Sequence, residues 1–136
     1  MDESPVAVPV AATKVLVIDD SNTIRRSAEI FLGQAGCQVL LAEDGFDALA
    51  KIADHNPDVI FVDIMMPRLD GYQTCALIKK NAELASTPVI MLSSRDGLFD
   101  RARGRMADSD EYLTKPFTKD SLLKAVATHS HRNTPR

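Results

Sequence analysis

No apolar run in the sequence approaches the roughly 20 residues needed to span a bilayer. Membrane insertion is therefore not expected. The N-terminus opens Met1-Asp2-Glu3 and carries Pro5 and Pro9, so it lacks the basic start and continuous apolar block of a secretory signal. Only two cysteines occur, Cys37 and Cys75, at a spacing that matches neither a metal site nor a redox motif. Both read as reduced packing residues, and the expected compartment is the cytoplasm. Excess positive charge is missing as well. The net charge is −3, which offers no overall field to nucleic acid or to an anionic membrane. One stretch, Arg95 to Arg105, holds four arginines, but Asp96 and Asp100 dilute it, and it reads as a solvated helix face. Internal repeats and low-complexity blocks are absent too.

What remains is an ordinary globular composition, 45% hydrophobic and 26% charged over 136 residues, enough for one core. Residues 1–12 are rich in Pro, Ala and Val without periodicity and are expected to be a flexible N-terminal extension. The domain is expected over 13–129, with a flexible tail over 130–136. His129 and His131 read as solvent-exposed residues rather than metal ligands.

Between those ends the pattern alternates. Lys14-Val15-Leu16-Val17-Ile18 is a short apolar run that stops at Asp19-Asp20. Ile24, Ala28, Phe31 and Leu32 then recur at helical spacing, with Gly33 and Gly36 as the stop. Gln38–Ala42 is a second strand, and Leu49, Ile52 and Ala53 mark a second helix ending before Pro57. Asp58–Val62 is a third strand running into Asp63. Cys75, Ile78 and Ala82 mark a third helix, opened by a turn at Asp70 and Gly71. Pro88–Leu92 is a fourth strand, followed by a weaker helix over about 96–106. Glu111–Leu113 is a brief fifth strand, and Thr118 opens a last helix containing Leu122, Leu123 and Val126.

Strands this apolar, without polar alternation, are covered on both faces, as in a parallel sheet between helices. Right-handed crossovers leave few topologies. The expectation is an α/β flavodoxin-like fold: a five-stranded parallel sheet in the order 2-1-3-4-5, flanked by five helices. Ligands of such sheets bind beyond the carboxyl ends of the strands, near the switch point between the first and third.

The polar residues fall at those ends. Asp19 and Asp20 follow the first strand, Asp63 the third, Ser93 and Ser94 the fourth, and Lys115 the fifth. Adjacent first and third strands would bring three carboxylates together, where like charges repel unless a cation offsets them. A hard, oxygen-binding ion such as Mg²⁺ suits that set. Lys115 adds a positive charge and Ser93 a hydroxyl. Such an arrangement equips one carboxylate to act as nucleophile toward a phosphoryl group.

Four segments carry a resemblance: Val17-Ile18-Asp19-Asp20-Ser21, Val62-Asp63-Ile64-Met65-Met66-Pro67, Leu69-Asp70-Gly71 and Tyr112-Leu113-Thr114-Lys115-Pro116-Phe117. Together they resemble the signature segments of bacterial two-component response-regulator receivers, the CheY-like domains, over about residues 14–128. The resemblance implies that Asp63 is the phosphoacceptor. It implies Mg²⁺ on Asp20, Asp63 and the backbone carbonyl of Met65, with Asp19 supporting. Ser93 would be the switch hydroxyl, Lys115 the phosphate-pairing cation and Tyr112 the aromatic switch, and Lys115-Pro116 would be a cis peptide. Residues 63–79 and 96–100 are similar to the small receivers of type IV pilus twitching-motility systems. That similarity implies phosphorylation by a CheA-like histidine kinase or a histidine phosphotransfer domain.

One departure stands out. Asp108 occupies a place where the family usually has glycine in the turn before Tyr112, and Asp tolerates a left-handed backbone better than most residues. A modest stability cost is expected, not lost function. Arg95 and Met65 are expected to border the water path to the acyl phosphate. Ser94 reads as a helix-capping hydroxyl, and the Met65-Met66 pair as loop packing. Output is expected by docking to a downstream protein, through the face made by the fourth helix, fifth strand and fifth helix.

Two other functions compete. A phosphatase of the haloacid-dehalogenase type needs a second Asp two residues beyond the nucleophile, and Met65 stands there. A phosphorylation-independent, receiver-like scaffold typically loses an acidic residue or the lysine, and this chain keeps them all.

Overall fold

In the computed structural model, which describes residues 11–93 and 109–130, each short apolar run is a strand. β1 (Lys14–Ile18), β2 (Gln38–Ala42), β3 (Val59–Asp63), β4 (Val89–Ser93) and β5 (Glu111–Thr114) form one parallel sheet, ordered β2-β1-β3-β4-β5. Four helices occur among the described residues: α1 (Asn22–Gln34), α2 (Gly45–His55), α3 (Gly71–Lys80) and α4 (Lys119–Ser130). The helix expected over about 96–106, with Ser94, Arg95 and Asp108, lies outside the described residues. So do residues 1–10 and 131–136.

The period of two along each central strand sorts the core into two layers. Leu16, Ile18, Ile60, Val62, Val89 and Met91 face one side, where Ala48 and Ile52 of α2 and Cys75 and Ile78 of α3 cover them. Val15, Val17, Val59, Phe61, Ile90 and Leu92 face the other, beneath Ala28 and Leu32 of α1 and Leu122, Ala125 and Val126 of α4. Both faces being covered is why these strands carry no polar alternation.

Helix ends follow local chemistry. Ser21 caps α1, accepting the Ile24 N–H at 3.3 Å, and Asp44 caps α2, accepting the Asp47 N–H at 2.8 Å. Asp70 and Gln73 form a reciprocal capping box on α3. At the end of α1, Gly33 is inside the helix and does not stop it. Gly36 takes φ +89° instead, and its N–H donates to the Gly33 carbonyl.

The Ala12 N–H donates to the Gly36 carbonyl at 2.9 Å. One detail departs from expectation. His129, expected at the surface, is only 5% exposed and bonds through Nε2 to the Glu111 carboxylate on β5. The reason is that α4 runs to Ser130 and keeps that ring against the sheet. Among the described residues, no helix is long and apolar enough to cross a membrane.

Candidate functional site

β1 stops where its apolar run stops, and the Asp19 N–H is held by the Ala42 carbonyl of β2 at 3.1 Å. Asp19 is fully buried. Its Oδ1 accepts the Ser21 N–H at 2.9 Å, its Oδ2 faces Lys115 Nζ at 3.2 Å, and Arg25 Nη1 donates to its carbonyl at 2.6 Å. Asp20, the next residue, is exposed.

Asp63 is the last residue of β3 rather than the first beyond it, and it is 3% exposed. Lys115 Nζ donates to its Oδ1 at 3.0 Å, and the Met65 N–H donates to the same oxygen at 3.3 Å. Carboxylate oxygens of Asp19, Asp20 and Asp63 all lie within 4.8 Å of one another. Lys115 arrives from the end of β5, its own N–H bound to the Ser93 carbonyl at 2.7 Å, and the Lys115-Pro116 peptide is cis. Ser93 ends β4 and is buried, one step beyond Leu92, the register partner of Asp63.

Burial and the negative charge of Asp19 push the Asp63 carboxyl up to about 6, against the opposing pull of Lys115 and the Met65 N–H. Burial works against the charge on Lys115, but its bonds to Asp63 and the charge of Asp19 outweigh that and raise it. One ammonium does not balance three carboxylates. The site is short of positive charge.

A cavity of about 440 Å³ opens beside this cluster, lined by Asp20, Ile64, Met65, Met66, Pro67, Asp70 and Tyr72. Here the methionine pair splits. Met66 is 8% exposed and belongs to the core, whereas Met65 is 72% exposed, so loop packing does not describe it. Its backbone is held near Asp63 while its side chain faces solvent.

Residues 15–127 match the family described as the response regulator receiver domain. The chain belongs to that family. The receiver is 68% identical to Protein PilG of Pseudomonas aeruginosa over 122 residues, 90% of each chain. It is 37% identical to Response regulator MprA of a Mycobacterium species over 90% of its own length, which is 52% of that protein. Among solved structures, the chemotaxis protein CheY4 of Vibrio cholerae matches with a TM-score of 0.84 at 33% identity, covering 88% of this chain and 99% of that one.

Receivers are phosphoacceptor domains that use acidic side chains to hold Mg²⁺. The residues present here fit such an ion. Asp19, Asp20 and Asp63 offer hard oxygen donors without sulfur or imidazole, and burial together with the Asp19 charge disfavours the bare Asp63 carboxylate, which a cation would relieve. The receiver also contains site residues to which the motifs assigned no part. Ser21 and Arg25 immobilise Asp19, and an N-cap serine after an Asp pair is a signal that would have found the first. The Tyr112 hydroxyl lies 3.3 Å from that of Tyr72 on α3. No local pattern around Tyr72 announces that contact, which joins residues 40 apart in the chain.

Proposed function

We propose that this receiver takes a phosphoryl group onto Asp63 from the phosphohistidine of a CheA-like kinase or histidine phosphotransfer domain, and relays that state by docking to another protein in the cytoplasm. The observation that carries this reading is the convergence of Asp19, Asp20 and Asp63, with Lys115 bonded to both buried members.

In the transfer step, a carboxylate oxygen of Asp63 attacks phosphorus, the P–O bond forms, and the P–N bond to the donor imidazole breaks. The imidazole leaves with the electron pair and takes up a proton. Lys115 Nζ, 3.0 Å from Asp63 Oδ1, is close enough to follow one of the phosphoryl oxygens as charge moves onto them. Mg²⁺, when bound, supplies the remaining positive charge. Asp20, Asp63 and the Met65 carbonyl would hold it. Asp19 would play the supporting part, because both of its oxygens already accept bonds. Ser93, at the end of the neighbouring strand, would offer its hydroxyl to the phosphoryl group, and Tyr112 would report the change to the docking face. The high identity to PilG supports a place in type IV pilus twitching motility.

The test is phosphotransfer from candidate histidine-kinase donors in the presence of Mg²⁺, with partner capture in both states. Label should appear on wild type and be lost in Asp63→Asn. Equal incorporation in that variant would remove Asp63 from the mechanism. Partner binding indifferent to phosphorylation would favour a scaffold instead.

A further inference from the structure

Tyr72 is the second residue of α3 and is 7% exposed. It touches two places at once. Together with Asp20, Met65 and Met66 it lines the cavity beside the acidic cluster. Its hydroxyl also meets that of Tyr112 on β5, at 3.3 Å.

The start of α3 is fastened to the strand that carries Asp63. The Gly71 N–H donates to the Ile64 carbonyl at 3.0 Å, and a Cβ on Gly71 would sit 2.4 Å from the Asp63 carbonyl oxygen. With no slack between them, a shift of the backbone just after Asp63 is transmitted to the first turn of α3. Tyr72 is the next residue along. A neutral phenol–phenol bond is weak enough to be exchanged when either ring moves.

We infer that Tyr72 is a positioning residue that latches Tyr112: its hydroxyl holds the Tyr112 phenol where it now stands and lets go when the backbone after Asp63 moves. The inference rests on the reading of Asp63 as the phosphoacceptor. It gives the site a route to Tyr112 through the first turn of α3. Removing the hydroxyl should then favour the released state before any ligand arrives.

The chain has two tyrosines and no tryptophan, so a full-length sample labelled with ¹³Cζ-tyrosine gives two phenol signals, assignable through Tyr72→Phe and Tyr112→Phe. Backbone amide spectra follow Asp63 in parallel, during titration with beryllium fluoride and Mg²⁺. In wild type, Asp63 and Tyr112 should both respond. In Tyr72→Phe the Tyr112 signal should start displaced toward its activated position, and half-saturation should need roughly two- to fivefold less beryllium fluoride, the size of one weak hydrogen bond. Tyr72→Leu, which fills the core without a hydroxyl, should act the same way. A Tyr112 signal and half-saturation point equal to wild type in both variants would overturn the latch. An Asp63 amide that ignores beryllium fluoride in wild type would instead overturn the phosphoacceptor reading, and the latch with it.

Discussion

Gly71 stands against the backbone of Asp63 with no room for a side chain: a Cβ there would lie 2.4 Å from the Asp63 carbonyl oxygen and 2.7 Å from the Ile64 Cα. Those obstacles are backbone atoms of β3 and of the residue that follows it, not the end of a flexible side chain. Gly71→Ala is expected to cost about 1–3 kcal/mol and to displace the loop after Asp63. Urea unfolding and beryllium fluoride binding would show both losses. The same exchange at Gly33 meets nothing within 4 Å inside α1. There Gly33→Ala should stabilise by about 0.5–1 kcal/mol, and a loss of stability would contradict its placement in the helix.

Burial and the neighbouring Asp19 charge give Asp63 a pH signature. Its carboxyl is raised from 3.8 to about 6, so the folded state holds a proton that the unfolded chain has already released. This contribution is fully present below about pH 4 and is lost as pH rises through 6, amounting to about 3 kcal/mol at most. Asp63→Asn should therefore gain on wild type between pH 5 and 7.5 in EDTA. Saturating Mg²⁺ should narrow that gap by stabilising wild type. Denaturant midpoints at the two pH values, with and without the ion, give the comparison.

Burial keeps the Cys37 thiol protonated, pushing it up to about 11. At pH 8 the thiolate is the reactive species and is correspondingly scarce in the native protein. Iodoacetamide should label Cys37 more than tenfold slower in buffer than in urea, with Cys75, wholly buried, slower still. Peptide mass spectrometry over a time course separates the two sites.

Lys79 ties the far end of the sheet together. Its Nζ donates to the Thr87 carbonyl at 2.7 Å and to Asp110 Oδ2 at 2.9 Å, and that same oxygen accepts the Val89 N–H. The side chains are only 10% and 17% exposed. Lys79→Met removes the ammonium from this mostly buried ion pair and should cost about 2–4 kcal/mol. Arg26→Ala should change stability by less than about 0.5 kcal/mol, because its pairing with Glu29 is largely in solvent. Equal losses from the two variants in urea unfolding would refute the distinction.

Particular residues show how far the sequence carries. The four-residue apolar stretch Val15–Ile18 could be read as a doubly covered strand because its composition lacks alternation, and β1 is buried on both faces. Asp19, Asp20, Asp63 and Lys115 could be assigned to one place because each follows such a run, and strand ends share an edge. His129 was misread for the opposite reason. A polar residue near a terminus looks exposed until the helix is seen to continue and the ring is found against Glu111.

By itself, then, the sequence determined the alternation of elements, the sheet order and the set of charged groups at its carboxyl edge, since these follow from local apolar runs and the handedness of their connections. Only the tertiary structure decided which oxygens Lys115 bonds, that both oxygens of Asp19 are engaged, that Gly71 abuts Asp63, and that Tyr72 meets Tyr112. Those depend on distances of a few ångströms between residues far apart in the chain. Periodicity carries no information at that scale, because it records which face a side chain takes and not what it meets there.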